Sequence, residues 1–290
     1  MSTLQGTEPN LEPSTGYQAP KRPQLHFSGL DKLWGCGEQF RRIYIEKERP
    51  DANAAILAGI AVDRSVTMNL ESKITTGALL PIEQIKDKAR DVVESEWKLR
   101  TIVMTADEKA AGESATRGAV IDKSIRLAAL HAREIAPKIN PIHVARKWSI
   151  EIPGFPFDLV GEIDVQEKEG PRDTKTSGKS PVANIADLSD QGTMYSLALK
   201  VLDGVTPERF VLDYLVDNKT PVAKSFTSTR NDDDFRVLMS RIENAAEAIQ
   251  KGVFVPAQPT DWRCSMKWCG FASTCRYFKK PKSVVIEQGE

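Results

Sequence analysis

Asp164 lies near the end of one strand-like run, and Asp173, Thr174 and Lys175 lie in the next. Two carboxylates and an ammonium group on neighbouring strands make a place where a divalent cation and a phosphate ester can meet. Mg²⁺ and Mn²⁺ are hard ions that take oxygen ligands, and a bound ion polarises a phosphate and acidifies a water. A lysine two residues beyond one acid can orient that water or offset charge developing on phosphorus. Taken alone, the three residues fit a solvated hairpin of alternating charges equally well, since a short motif is only a hypothesis.

The elements that must position them can be read around the motif. Residues 157–165 read as a strand, with Pro153, Gly154 and Pro156 before it and a turn at 167–170 after it. The short gap to Asp173 makes a β-hairpin the simplest geometry. Adjacent strands hold side chains about 5 Å apart, and period two sends Asp173 and Lys175 to the same side. Residues 183–202 have helical spacing through Ile185, Leu188, Met194, Leu197, Ala198 and Val201, with Gln191 and Tyr195 four apart on one face. A strand at 209–216 and its hairpin partner at 221–227 follow, so the order is β, β, α, β.

With these pieces in view, the chain resembles the PD-(D/E)xK nuclease superfamily, in particular its RecB-like and Cas4-like exonucleases. The resemblance is carried by Gly161-Glu162-Ile163-Asp164, Asp173-Thr174-Lys175-Thr176, the Gln191 and Tyr195 pair, and the upstream stretch Gly59-Ile60-Ala61-Val62-Asp63. It spans about residues 25–280. It implies an α/β fold with a restriction-endonuclease-like core, a central mixed sheet flanked by helices. It also implies that Asp164 and Asp173 bind metal, that Lys175 is catalytic, and that Gln191 and Tyr195 line the active site near DNA. The carbonyl of Thr174 is a further candidate ligand. The family's upstream motif normally ends in a metal-binding histidine, and Asp63 stands at that place here. An aspartate suits a hard ion, and the alternative is that Asp63 merely caps or solvates its helix.

Four cysteines form a second constellation: Cys36 near the start, and Cys264, Cys269 and Cys275 close together near the end. Without a signal peptide or a membrane-spanning run, a cytoplasmic setting is expected, where structural disulfides are rare. Iron–sulfur clusters commonly take four thiolates. Zinc takes four as well, but usually from two close pairs, and unpaired core cysteines are the plainest option. The resemblance implies a [4Fe–4S] cluster, because one early and three late cysteines hold such a cluster in Cas4-like nucleases. Bridging Cys36 to Cys264 would staple the two ends of the chain together.

Composition bounds the rest. Lysine plus arginine equals aspartate plus glutamate at 40 each, so no global basic field draws in nucleic acid. Any DNA surface must be local. Candidates are Arg41, Arg42 and Lys47 beside the first cysteine, Arg146 and Lys147 before the hairpin, and Lys267, Arg276, Lys279, Lys280 and Lys282 around the late cysteines. The aromatics interleaved there, Trp262, Trp268, Phe271, Tyr277 and Phe278, could stack on single-stranded bases; Tyr277 and Phe278 are the favoured stacking residues, while Trp268 and Phe271 are expected to pack around a cluster. His26, His131 and His143 lack metal-ligand spacing, and no phosphate loop is present, which excludes a helicase.

The expected organisation is a disordered leader over 1–24, one domain over 25–280 and a tail over 281–290. Within the domain, a helix starting at a Ser28 or Asp31 cap carries Cys36 and runs on through Tyr44. A helical block covers about 50–137, a catalytic core about 143–252 and the cysteine-rich segment 262–278. The function these readings imply is a Mg²⁺- or Mn²⁺-dependent DNA exonuclease acting on single-stranded ends in recombination, repair or processing. Partner proteins of phage recombination or CRISPR adaptation fit it, and a membrane does not. The alternative is a catalytically weak or inactive DNA-binding or assembly protein that keeps the fold and the cluster.

Overall fold

The computed structural model describes residues 5–7 and 22–278. Residues 1–4, 8–21 and 279–290 lie outside the described residues, and with them most of the expected leader and the candidate cations Lys279, Lys280 and Lys282.

The sheet grows from the hairpin outward. Strand β3 (Pro141–Glu151) pairs antiparallel with β4 (Asp158–Glu167), which turns into β5 (Gly170–Ser177). Helix α7 (Asp190–Asp203) then crosses over to β6 (Phe210–Val216), parallel to β5, and β7 (Val222–Ser228) returns antiparallel. At the far edge β1 (Gln5–Thr7) pairs with β3, inside the stretch expected to be leader. Strand β2 (Gln24–His26) runs parallel to the first part of β4. The sheet order is β1-β3-β4-β5-β6-β7, with β2 lying against β4 off that path.

Strand β3 is absent from the sequence reading because cations interrupt its apolar pattern. It buries Trp148 and Ile150, and it also buries Arg146, which had been expected on the surface. The Arg146 guanidinium reaches Asp203 at 2.8 and 2.9 Å and Gln166 at 2.7 Å, which compensates for removing its charge from water.

Helices cover both faces. On one, α1 (Phe27–Gly35), α7 and α8 (Asp232–Gln250) pack through Leu30, Met194, Leu197, Phe235 and Ile242 onto Leu159, Ile163 and Leu212. On the other, α3 (Ala54–Thr76) and α6 (Glu113–Glu134) bury Val62, Val66, Leu70 and Leu127 against Val165 and Leu215. Helix α4 (Ile82–Leu99) forms an outer layer, its stripe of Ile85, Ala89, Val92, Val93 and Trp97 buried as its spacing predicts. The short α5 (Ala106–Ala111) is fixed by a Thr105–Glu108 capping box.

Two boundaries differ from expectation. The first helix starts at Phe27 and breaks at Cys36, where the backbone is extended before α2 (Gly37–Phe40) and a π-helical turn (Arg41–Ile45). Gly37 N–H donates to the Val255 carbonyl at 2.7 Å, and a Cβ on Gly37 would stand 2.6 Å from the 254–255 backbone. A continuous helix cannot make that approach. Helix α7 starts only at Asp190, because the Ser189 side chain caps it by accepting from Gly192 N–H, and Leu188 stays exposed.

His131 on α6 is buried with neither ring nitrogen hydrogen-bonded. Burial, assisted by the nearby Arg172 charge, lowers its pKa from 6.5 to about 3. The folded state therefore binds fewer protons than the unfolded chain over that window. Stability should fall as pH drops from 6.5 towards 3, by up to about 1.4 kcal/mol per unit. In acid melting curves, His131→Leu should flatten that decline.

Candidate active centre and four-cysteine cavity

The hairpin that carries the acids is a fork. Strands β4 and β5 pair at Glu167↔Gly170, Gln166↔Pro171 and Val165↔Arg172, and there the ladder stops. Asp164 and Asp173 are the next residue on each strand, so they stand where the strands part. Beyond them β2 takes the place along β4 that β5 has left. On the other side of β4 the backbone is irregular at the same height. Ala145 of β3, between the pairs Val144↔Val165 and Arg146↔Ile163, has φ +52°, an uncommon conformation for a residue with a Cβ.

A directional chain of hydrogen bonds links the five core residues. Lys175 Nζ donates to Asp173 Oδ1 at 3.0 Å and to Gln191 Oε1 at 2.8 Å. Gln191 Nε2 donates to Tyr195 Oη at 2.7 Å, and that hydroxyl donates to Asp164 Oδ1 at 3.1 Å. The structure thus joins Asp164, Asp173, Lys175, Gln191 and Tyr195 in one cluster, with Thr174 between the acid and the lysine on β5. The i, i+4 spacing on α7 puts Gln191 and Tyr195 in line above the fork.

The cluster holds more negative charge than one lysine offsets. Burial, then the neighbouring Asp173 carboxylate, holds the Asp164 carboxyl well above the usual carboxylate range. Asp173 is 1% exposed, and its Oδ2 lies 2.8 Å from Lys175 Nζ without a well-aligned hydrogen bond. Burial pulls the Lys175 ammonium down, but Asp173 and Asp164 outweigh it, so its pKa rises and it keeps its proton. Tyr195 is likewise held as a phenol, mainly by burial and then by the two acids. A buried carboxylate beside a second acid, with one lysine between them and no other cation paired to either among the described residues, is an oxygen donor set that fits a hard divalent cation.

Asp63 approaches from α3. Its side chain is exposed, and its pKa is raised by partial desolvation, then by Asp173 and Glu162, against Lys175 and Arg64. It shares the field of the fork without closing on it. Among the described residues, no three His, Cys, Asp or Glu side chains close on one point as a single ion requires. Two carboxylates completed by water, a carbonyl and phosphate oxygens fit Mg²⁺ better than an all-protein cage.

Two supports for the centre lay beyond the motif. Arg172, buried between Glu167 at 2.9 Å and Asp213 at 2.7 Å, anchors β5 next to Asp173. Gly192, in the first turn of α7, lets the helix sit on Phe210, since a Cβ there would lie 2.4 Å from the ring. Gly192→Ala should cost about 1–3 kcal/mol by overpacking and lift Gln191 from Lys175. Thermal melting alongside an activity assay would detect both effects.

The four cysteines line a single small cavity of about 20 Å³, together with Gln39, Phe271 and Ala272. Gln39 Nε2 donates to Cys269 Sγ and Ala257 N–H donates to Cys36 Sγ, each at 3.3 Å. Burial first, and then the other three thiols, raise the pKa of Cys264, and burial likewise raises that of Cys269. Four thiols lining one cavity, with N–H donors to two of them and an apolar lining, fit a multi-atom thiolate-bound cluster better than a single ion, and its binding would expel protons. The late cysteines are docked on the start of the domain, where a Cβ on Gly270 would lie 2.6 Å from the Asp51 carbonyl.

The expected DNA contacts are scattered. Arg41 pairs with Glu38 and Glu46, and Arg42 pairs with Glu48, donates to Thr274 and lies 4.1 Å over Phe271. Both arginines brace the cavity rim. Lys147 is exposed across from Glu162, and Tyr277 is exposed beneath Arg276. Phe271 packs at the cavity as expected, but Trp268 is 43% exposed and faces away into a separate cleft with Trp262.

No family model and no curated protein matches this chain. Among solved structures it is similar to a candidate exonuclease from Eubacterium rectale, at 12% identity and a TM-score of 0.57. The match covers 92% of this chain and 97% of that one. Such a likeness speaks for the fold alone, a mixed α/β architecture with a central mixed sheet flanked by helices.

Proposed function

We propose that this protein is a divalent-metal-dependent DNA exonuclease that hydrolyses phosphodiester bonds at single-stranded ends. The observation that carries this reading is the fork, where Asp164 meets the buried Asp173, whose two oxygens lie 2.8 and 3.0 Å from the one charged lysine, Lys175. The fold likeness to a candidate exonuclease supports it. In this reading Asp164, Asp173 and the Thr174 carbonyl hold Mg²⁺ or Mn²⁺, and Asp63 adds charge from α3.

A bound divalent ion supplies polarisation of the scissile phosphate and a more acidic water. Lys175, which keeps its proton, orients the attacking water and offsets the charge that builds on the phosphate oxygens. The water oxygen forms the new bond to phosphorus as the water gives up a proton to solvent, a bridging P–O bond breaks, and the leaving oxygen takes a proton from solvent. Gln191 fixes Lys175 through its carbonyl oxygen, and Tyr195 holds one oxygen of Asp164. The α7 pair thereby sets the spacing of acid and lysine against the strand.

Cys36, Cys264, Cys269 and Cys275 hold a [4Fe–4S] cluster in the same reading, supported by the shared cavity and the N–H donors to sulfur. Zinc is the alternative, distinguished by a colourless, iron-free preparation. A cytoplasmic role beside recombination or CRISPR-adaptation proteins completes the proposal. No helix among the described residues is long and apolar enough to cross a membrane.

The test is to incubate anaerobically purified protein with end-labelled single- and double-stranded DNA, with Mg²⁺, Mn²⁺ or a chelator. Cation-dependent release of label from single-stranded ends is the expected result. Intact substrate under every condition overturns it. Binding without cleavage would favour a weak or inactive DNA-binding or assembly protein.

A further inference from the structure

A cleft of about 1200 Å³ opens where β5 ends, floored by Thr176 to Lys179 and walled by small side chains of α3 and α6. Trp262, Lys267 and Trp268 close one side. The two indole rings are 5.7 Å apart at 89°, and they are 62% and 43% exposed. The chain's other tryptophans are covered, Trp97 and Trp148 in the core and Trp34 beneath Arg241. Two large aromatic faces left open to water in one cleft require a partner to account for them.

The elbow they form is held firmly. Trp262 stands two residues before Cys264, and Trp268 directly precedes Cys269. Asn53, the N-cap of α3, donates through Nδ2 to the Lys267 carbonyl at 3.1 Å. The cysteine-rich segment therefore fixes two aromatic planes against the helix that also carries Asp63.

Charge indicates the partner. Lys179 and Lys267 have no acidic partner among the described residues, and Lys267 Nζ lies 5.2 Å over the Trp268 ring. Asp107 and Glu108 face the cleft from α5, so a polyanion would follow the Lys179 and Lys267 side. Lys123 is engaged with Asp217 at 3.4 Å. Aromatic faces beside free cations suit unpaired bases with their phosphates. Duplex bases are stacked on one another and cannot present a face to indole. An apolar peptide would leave the two lysines without a role.

We infer that Trp262 and Trp268 form a stacking platform for the unpaired bases of a single-stranded DNA end, and that the four-cysteine segment holds this platform in place. The inference rests on the nuclease reading for its substrate, while the platform itself is a property of this chain's own cleft. Stacking on aromatic side chains tolerates any sequence, so the platform would grip ends without selecting bases.

The test measures binding in the absence of turnover. Fluorescence anisotropy of a labelled oligothymidylate, with chelator present, compares wild type with Trp262→Ala/Trp268→Ala and with Trp262→Phe/Trp268→Phe. The alanine pair should lose affinity by about tenfold or more, and the phenylalanine pair should keep most of it. Melting temperature and metal content should match wild type in both. Equal binding by the alanine pair overturns the platform while leaving the nuclease reading intact, and such a cleft would then serve a peptide. Equal loss in both pairs overturns it in favour of a structural role. A wild type that binds no oligonucleotide overturns the platform and the nuclease reading together.

Discussion

Lys175→Ala is expected to slow DNA hydrolysis by about 10²–10³-fold, the usual loss when one positioned donor is removed from a developing oxyanion. Its ammonium is the positive group bonded at the fork, 2.8–3.0 Å from both Asp173 oxygens and 2.8 Å from Gln191. Because its pKa is raised, it donates and attracts rather than taking a proton. Removing it also removes repulsion towards an incoming cation, so divalent binding should persist or strengthen. Asp173→Asn should give the opposite pattern. It should abolish both cleavage and cation-induced thermal stabilisation, while the metal-free protein melts at the same temperature or higher, because like-charge repulsion with Asp164 is relieved. Melting curves with and without Mn²⁺, beside single-turnover rates, separate the two variants. A Lys175→Ala protein that loses cation binding as fully as Asp173→Asn would remove the distinction between ligand and catalytic lysine.

The second large effect concerns the cysteines. Replacing Cys36 by serine should strip iron and destabilise the protein by up to roughly 5 kcal/mol, by analogy with opening a covalent loop of about 100 residues. For a domain of this size that is a fall in melting temperature on the order of 10 °C. The loss should appear first as proteolysis within 254–278, because the catalytic fork is held separately by the sheet and α7. Contacts that do not involve metal, such as Gly37 N–H on Val255 and Arg42 over Phe271, will retain part of the docking. Iron content, visible absorbance and limited proteolysis measure the effect. A Cys36→Ser protein with wild-type iron and wild-type protease resistance would exclude this cysteine as a ligand.

The side chains joined at the fork were legible because two local periodicities place them, while their roles rest on the resemblance. Period two on β5 aligns Asp173 with Lys175, and i, i+4 on α7 aligns Gln191 with Tyr195. The features that escaped depend on partners distant in sequence. The ladder stops at Val165↔Arg172, and β2, from more than 130 residues earlier, lies along β4 beyond that point. Cys36 breaks its helix because residues 254–255 approach Gly37. Strand β3 was hidden because Arg146 is buried against Asp203, a pairing that pattern alone cannot reveal. Trp268 turns away from the cysteines because Asn53 and Asp51 dictate how its loop docks. Asp63 falls on the helix expected for it and feels the Asp173 carboxylate, but it does not close with the two acids into a three-ligand set.

The central claim is that the Asp164, Asp173 and Lys175 fork hydrolyses DNA with a divalent ion. The most direct measurement follows wild type and Lys175→Ala side by side on end-labelled single-stranded DNA, with Mg²⁺ or Mn²⁺ and with chelator. The predicted result is release of label by wild type only when the ion is present, and almost none by Lys175→Ala. Equal degradation by both proteins, or an intact substrate with both, would contradict it.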